Sequence, residues 1–271
     1  MNHALTSRPS ALQQLGRALS ADTLKLKNTA ALWLSLVSGA LPVALSFLIY
    51  FFKGHQLLKP GQNPWPDYVL HSWRTATGLL LPLFVVLLTS LLLHVENKAA
   101  AWKHLYAQPL GRGTLLGSKL LLLLGLNLLA QVSYALLLLA SGLLLGVLRP
   151  GLLFADFALP LLPAATLLAH TYLATLGLLG IQYVASLWWR SFVLPVALGM
   201  GAVVATLTLM RWEHIAWIPY AAPLLSLRDV ATSGSRLQVP AALGEAHWLA
   251  LGWFALALLV GFGLLRRRAE Q

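Results

Sequence analysis

Residues 115–148 read LLGSKLLLLLGLNLLAQVSYALLLLASGLLLGVL. The run holds one basic residue, Lys119 near its start, and no acid. It exceeds the ~20 apolar residues that cross a hydrocarbon core. About a dozen leucines at bilayer depth, at about −0.5 kcal/mol each, favour insertion by on the order of −6 kcal/mol. That is enough to carry Asn127 and Gln131 into the membrane. Comparable apolar runs lie on both sides, at 31–52, 75–95, 157–188, 192–210 and 248–265. The expected fold is therefore an all-α integral membrane protein with six transmembrane helices in one transmembrane domain spanning 1–271. The third and fourth runs are long and should tilt or protrude.

Composition agrees. The chain is 58% hydrophobic and 10% charged, whereas soluble domains carry about 25% charged residues. With so few charges, most of the surface must face lipid. The net charge is +11. It is read as the flanking of membrane spans by basic residues, not as a nucleic-acid surface, because no soluble basic run is interleaved with aromatics. Cysteine is absent, which excludes disulfides, thiolate zinc sites and iron–sulfur clusters. No short apolar core precedes a small-residue cleavage site, so the first span is expected to direct insertion.

Orientation follows from the loops. With the N-terminus inside, Arg8, Arg17, Lys25, Lys27, Lys98, Lys103, Arg112, Lys119, Arg190 and Arg266 to Arg268 lie on the inner side. Lys53, Lys59, Arg74, Arg149, Arg211, Arg228 and Arg236 are left outside. Both termini are expected in the cytoplasm. Pro42, Pro82, Pro163, Pro195, Gly199 and Gly201 fall inside spans, where neighbouring helices can re-satisfy the backbone. The two halves do not repeat, which argues against an inverted-repeat carrier.

Three segments do not fit simple spans. In 11–28, Leu12, Leu15, Leu19 and Leu26 fall near one helical face, with Arg17, Lys25 and Lys27 available to anionic lipid. The segment reads either as an interfacial helix or as a disordered basic tail. In 94–114, Glu96 to Tyr106 is helix-forming, Trp102, Leu105 and Tyr106 cluster at helical spacing, and Pro109 and Gly111 end the helix. That is either a cytoplasmic docking helix or an ordinary loop. In 211–247, Trp212, Ile215, Trp217, Pro219, Tyr220 and Pro223 make a stretch too apolar for a solvated loop and too Pro-broken for a span. A short helix or helix pair re-entering the outer leaflet is expected, shielded by protein or water.

Sequence motifs leave few chemistries open. There is no phosphate-binding Gly-x-x-x-x-Gly-Lys-Ser/Thr loop, so ATP and its magnesium would have to be bound by a partner chain. Neither His-Glu-x-x-His nor Gly-x-Ser-x-Gly occurs. His94 and Glu96, two apart, do not share a helix face, so no metal site and no catalytic residue is expected. Asn127, Gln131 and Tyr134 share a face of span three, and Thr166 and His170 a face of span four, with Gln182 further along. These polar groups line a translocation path or make interhelical hydrogen bonds. No acid lies in a span, which disfavours proton coupling.

Leu24-Lys25-Leu26-Lys27-Asn28-Thr29 running into Leu32-Trp33-Leu34, then Glu96-Asn97, Trp102-Lys103, Leu105, Pro109-Leu110, Arg112 and Lys119, then Trp217-Ile218-Pro219-Tyr220 with Pro223, resemble the membrane subunits of type-2 ABC exporters. The likeness is to the bacterial subgroup of lantibiotic-immunity and bacitracin-resistance permeases. The resemblance implies a permease in the bacterial inner membrane that exports an amphipathic or hydrophobic substrate, a peptide antibiotic or lipid-like molecule. It implies a coupling helix carrying Glu96, Trp102, Lys103, Leu105, Tyr106 and Arg112 that docks on a separate ATPase. It also implies two ATPase copies and a second permease, identical or homologous. A stand-alone membrane enzyme or structural protein is the alternative, against which the lack of a carboxylate in any span counts.

Overall fold

The computed structural model describes residues 11–26, 29–98, 112–189, 191–233 and 236–267. Its helices are α1 (Ala11–Leu26), α2 (Ala30–Val37), α3 (Ala40–Leu57), α4 (Trp65–Thr75), α5 (Leu81–Lys98), α6 (Arg112–Leu148), α7 (Leu161–Trp188), α8 (Val193–Thr208), α9 (Ala222–Leu225) and α10 (Glu245–Arg267). A π-helical segment, Ala76–Leu80, joins α4 to α5. Among the described residues four runs are long and apolar enough to cross a membrane: Ala30–Leu57, Trp65–His94, Leu116–Leu148 and Leu161–Trp188. Val193–Thr208 and Glu245–Gly261 are shorter apolar helices.

Two differences from the sequence reading matter. The second long run begins at Trp65 rather than Thr75. Trp65-Pro66-Asp67 is a helix start, with proline in the first turn, an acid beside the positive end, and Asn63 Oδ1 accepting the Trp65 N–H at 3.1 Å. Arg74 and His71 hid it by lowering the local hydropathy. The chain is also not wholly α-helical. Strands β1 (Ala231–Ser233) and β2 (Arg236–Gln238) pair antiparallel, Thr232 opposite Leu237, and only Leu237 of the six is buried.

The four prolines inside the expected spans have unequal effects. Pro163 and Pro195 fall in the first turns of α7 and α8, where a missing N–H costs nothing. Pro42 and Pro82 are interior to the continuous runs Ala30–Leu57 and Trp65–His94. Pro42 cannot donate to the Ser38 carbonyl, and the first run breaks at Ser38–Gly39 between α2 and α3. Pro82 cannot donate to the Gly78 carbonyl. The chain there winds as a π-helix, with the Leu81 N–H reaching the Ala76 carbonyl.

Two cores fill the bundle. One is aromatic: Tyr50, Trp65, Tyr68, Trp73, Tyr134 and Phe154, closed by Leu227, Val230 and Leu237. The other is aliphatic: Val85, Leu88, Leu93, Leu123, Leu126, Leu178 and Leu179, with Leu19 of α1 packed against it. Helices α7 and α10 pack closely because a Cβ on Gly177 would stand 2.8 Å from the Ala250 carbonyl oxygen, and one on Gly261 would stand 2.5 Å from Val184.

Candidate functional site

The cores meet at a small cavity of about 40 Å³. Its walls come from four runs: Ser38, Gly39 and Pro42 at the break in the first, and Trp73, Ala76, Thr77, Leu80, Leu81 and Phe84 along the π-helical segment of the second. Ala130, Gln131 and Tyr134 of α6 and Thr171 of α7 complete it. Both interior prolines thus act at one place, and π-helical turns inside helices are frequent at functional sites. Gly39 lets α6 approach, since a Cβ there would lie 2.8 Å from Tyr134 Cα.

Hydrogen bonding beside the cavity has a fixed polarity. The Thr175 hydroxyl donates to the Tyr172 carbonyl at 2.7 Å, so its oxygen accepts from Asn127 Nδ2 at 3.1 Å and Gln131 Nε2 at 3.3 Å. Gln131 Nε2 also lies 3.4 Å from Asn127 Oδ1. Among the described residues that leaves Gln131 Oε1 buried with no partner, as is the Tyr134 hydroxyl one turn on. Gln131 is 4% and Tyr134 8% exposed. Trp73 donates from Nε1 to Thr171 Oγ1 at 2.9 Å and stacks edge-on against Tyr134 at 5.1 Å. Among the described residues no charged side chain lines the cavity.

Of the expected polar residues, the structure brings Asn127, Gln131 and Tyr134 together and leaves the other two elsewhere. Thr166 is half-buried and donates to its own helix at the Leu162 carbonyl. His170 is buried against His247, ring centroids 4.7 Å apart and perpendicular. Thr171 and Thr175, on the neighbouring face, take the place expected for them. Their spacing of four is visible in the sequence; Trp73 falls in 65–74, outside the expected second span, and Thr77 lies within that span among apolar residues. Among the described residues no cluster of three or more metal-ligating side chains occurs.

The segment before α10 forms a 3₁₀ turn, Ile215–Trp217, then α9 and the hairpin. It goes deep. Tyr220 donates to Gln182 Oε1 at 3.1 Å, and Gln182 lies roughly 30 Å along α7 from Leu161 at ~1.5 Å per residue. Trp253 Nε1 donates to the Trp217 carbonyl at 2.9 Å. Pro223 is buried, and Pro219 and Tyr220 are half-buried. Burial pushes the Tyr220 hydroxyl up to about 12, keeping it a donor.

The residues expected to contact an ATPase are Glu96, Trp102, Lys103, Leu105, Tyr106 and Arg112. Trp102, Lys103, Leu105 and Tyr106 lie outside the described residues, as do the side chains of Glu96 and Arg112. Lys27 and the side chains of Arg17 and Lys25 also lie outside them. The helix carrying Arg17 and Lys25, α1, packs along α6, where Leu15 comes within 3.8 Å of a Cβ built on Gly117.

Residues 18–206, more than two-thirds of the chain, match the model of the ABC-2 family transporter proteins. The chain belongs to the ABC-2 transporter family. It is thus a multi-pass permease, the membrane component of an ABC transporter, and works with an ABC ATPase. No curated protein matches it. The match covers α2 to α8 and includes every residue of the cavity.

Proposed function

We propose that this ABC-2 permease exports an amphipathic or hydrophobic molecule, lipid-like or a peptide antibiotic, from the membrane or cell. A separate ATPase, present in two copies, binds the ATP and magnesium and drives it. The permease pairs with a second, identical or homologous copy. Six spans cross the bacterial inner membrane with both termini in the cytoplasm; α8 and α10 are the last two, and 211–247 re-enters from the outer side. The observation that carries this reading is the family match over 18–206. The uncharged, largely apolar cavity at the meeting of four helical runs supports a neutral, membrane-soluble cargo. A charged group there would lack a counter-charge and be costly to bury.

In this reading the coupling segment 94–114 docks on the ATPase, and closure of the ATPase moves the spans as rigid bodies. A buried Trp anchor commonly contributes 2 kcal/mol or more to an interface, roughly thirtyfold in affinity. The test is copurification of the ATPase with the permease, together with transport-stimulated hydrolysis. Trp102→Ala is expected to lower ATPase affinity about thirtyfold. Glu96→Ala is expected to weaken association or uncouple hydrolysis. Trp212→Ala, at an exposed position in the outer segment, should leave both unchanged. Full association and coupling in both inner variants would sink the docking assignment. Substantial hydrolysis by the isolated chain would sink the division of labour.

A further inference from the structure

The first turn of α10 is closed by a histidine. Gly244 precedes the helix, and its carbonyl accepts the His247 N–H at 3.1 Å. In return the Gly244 N–H donates to His247 Nδ1 at 3.1 Å. This is the reciprocal pattern of a capping box, in which the side chain three residues along is ordinarily a glutamate or glutamine that accepts through oxygen. An imidazole accepts only while it is neutral. The bond also fixes the tautomer, with the lone pair on Nδ1 and the proton on Nε2. Nε2 is buried and, among the described residues, has no partner. The ring stands perpendicular to that of His170, centroids 4.7 Å apart, with His247 2% and His170 5% exposed. A second proton can therefore enter His247 only at Nδ1. There it would set N–H against N–H at Gly244 and put a cation at the positive end of α10, facing His170, which supplies no negative charge.

Few charges face this histidine. Of the elements packed on α10, α7 offers His170, while α9 and the 3₁₀ turn Ile215–Trp217 offer no titratable side chain. On α10 itself Glu245 is exposed two residues earlier. Asp229, in the turn after α9, is the nearby acid: a Cβ on Gly244 would stand 3.7 Å from Asp229 Oδ2 and 3.9 Å from His247 Nδ1. Arg74 reaches the same turn, its Nη2 donating to the Val230 carbonyl at 3.3 Å. Asp229 is exposed and the bond between Gly244 and His247 is only part-buried, so protons have a route to Nδ1. We propose that His247 is an acid-operated latch: neutral, it holds the chain before α10 closed on the first turn; protonated, it releases Gly244 and donates to Asp229, loosening the entry of the 211–247 segment into α10. The bond to Gly244 needs the neutral ring, so it is complete above the ordinary histidine value of about 6.5 and is lost as pH falls below it. The latch stands on this geometry and does not rest on the exporter reading.

The test is hydrogen–deuterium exchange on the full-length permease in lipid nanodiscs, read on peptides covering 243–248 and corrected for the intrinsic pH dependence of exchange. Between about pH 7.5 and about pH 5, protection of the Gly244 and His247 amides should fall about tenfold, the combined effect of one lost hydrogen bond and a cation at a helix start. In His247→Gln the amide oxygen accepts without titrating, so protection should stay high at both pH values. In His247→Leu it should be low at both, at the level of the acidified wild type. Asp229→Asn should keep the drop and move its midpoint to lower pH, because the charged ring loses its acceptor. That variant changes only an exposed side chain, so the test survives if a His247 variant does not fold. Wild-type protection that does not change, a drop that persists in His247→Gln, or an unmoved midpoint in Asp229→Asn would each overturn the latch. Nanodiscs wet both faces of the protein, so the result does not depend on the orientation proposed above; the exporter reading fails separately, by loss of ATPase copurification.

Discussion

The two cores of this bundle are held in different ways. At the aromatic end, Tyr50, Trp65, Tyr68 and Phe154 meet edge-to-face at centroid distances of 4.9 to 6.5 Å. The polar tips are committed: Trp65 Nε1 donates to the Phe154 carbonyl, Tyr50 to the Asp67 carbonyl, and Tyr68 to Ser141, whose own proton goes to Leu138. At the leucine end the packing is aliphatic, with Tyr183 donating to the Leu116 carbonyl as a cross-tie. Leucine gains little from leaving lipid for a leucine core, because both are equally apolar. That end holds by close packing, which has many near-equivalent arrangements, whereas the aromatic end has directional contacts that few arrangements satisfy. The cavity, the break at Ser38–Gly39 and the π-helical segment lie between them. Rearrangement during transport is therefore expected at the leucine end, with the aromatic end as the fixed reference.

The largest expected effect tests that contrast directly. Trp65 is fully buried, and Trp65→Ala should destabilise by about 3–5 kcal/mol, since it removes a ring that Gly142 is shaped to receive. Leu123→Ala, equally buried in the other core, should cost less, about 2–3 kcal/mol. Unfolding of each purified variant in bicelles is the measurement. A Leu123→Ala cost equal to or above that of Trp65→Ala would break the comparison. Next in size is Gly39→Ala. The added methyl would lie 2.8 Å from Tyr134 Cα and should cost about 1–3 kcal/mol by overpacking. Gly125→Ala, with nothing within 4 Å, should stay within about 0.5 kcal/mol. Equal effects at both glycines would mean that the break between α2 and α3 is not pinned by α6.

How much of this was legible in the sequence depended on the kind of signal. The long apolar runs were plain, because hydropathy is additive along a helix and Leu121 to Leu124 outweigh Asn127. The start of the second run at Trp65 was not: Asp67, His71 and Arg74 lower its hydropathy, and only packing against Phe154 and Leu138 makes it an aromatic core. The prolines were seen in the spans, but which of them distort depends on distance from a helix start, so Pro42 and Pro82 could not be separated from Pro163 and Pro195 until those starts were placed. Asn127, Gln131 and Tyr134 were legible as a face of one helix. Periodicity fixes which residues share a face and not what that face meets: His170 is buried against His247, while Thr171 and Thr175 meet Trp73 and the amides of α6. The β hairpin had no signal beyond Gly234, being too short for alternation to register.

The smallest effect concerns a point where the segment 211–247 reaches the leucine end. Tyr220 donates to Gln182 Oε1, while Gln182 Nε2 donates to the Pro195 carbonyl at 2.8 Å, so a single amide ties the segment to both α7 and α8. If that bond holds the segment at depth, Tyr220→Phe should cost about 0.5–1.5 kcal/mol, between the average for interhelical bonds in a membrane and that of a buried acceptor left unpaired. Gln182→Leu removes the acceptor as well as the Pro195 contact. In a double-mutant cycle the Pro195 loss is common to both Gln182→Leu arms and cancels, leaving the Tyr220–Gln182 coupling. Burial raises the Tyr220 hydroxyl from the ordinary tyrosine value of 10.0 to about 12. A group raised on folding contributes fully below its unfolded value and loses that contribution as pH climbs through the folded one, so the coupling should be flat at every pH below about 10. Additive costs, with no coupling, would mean that Ala222 and Pro223 packing holds the segment and the hydroxyl is incidental. A coupling that falls between pH 6 and 9 would show that the amide's partner is some other group that titrates there.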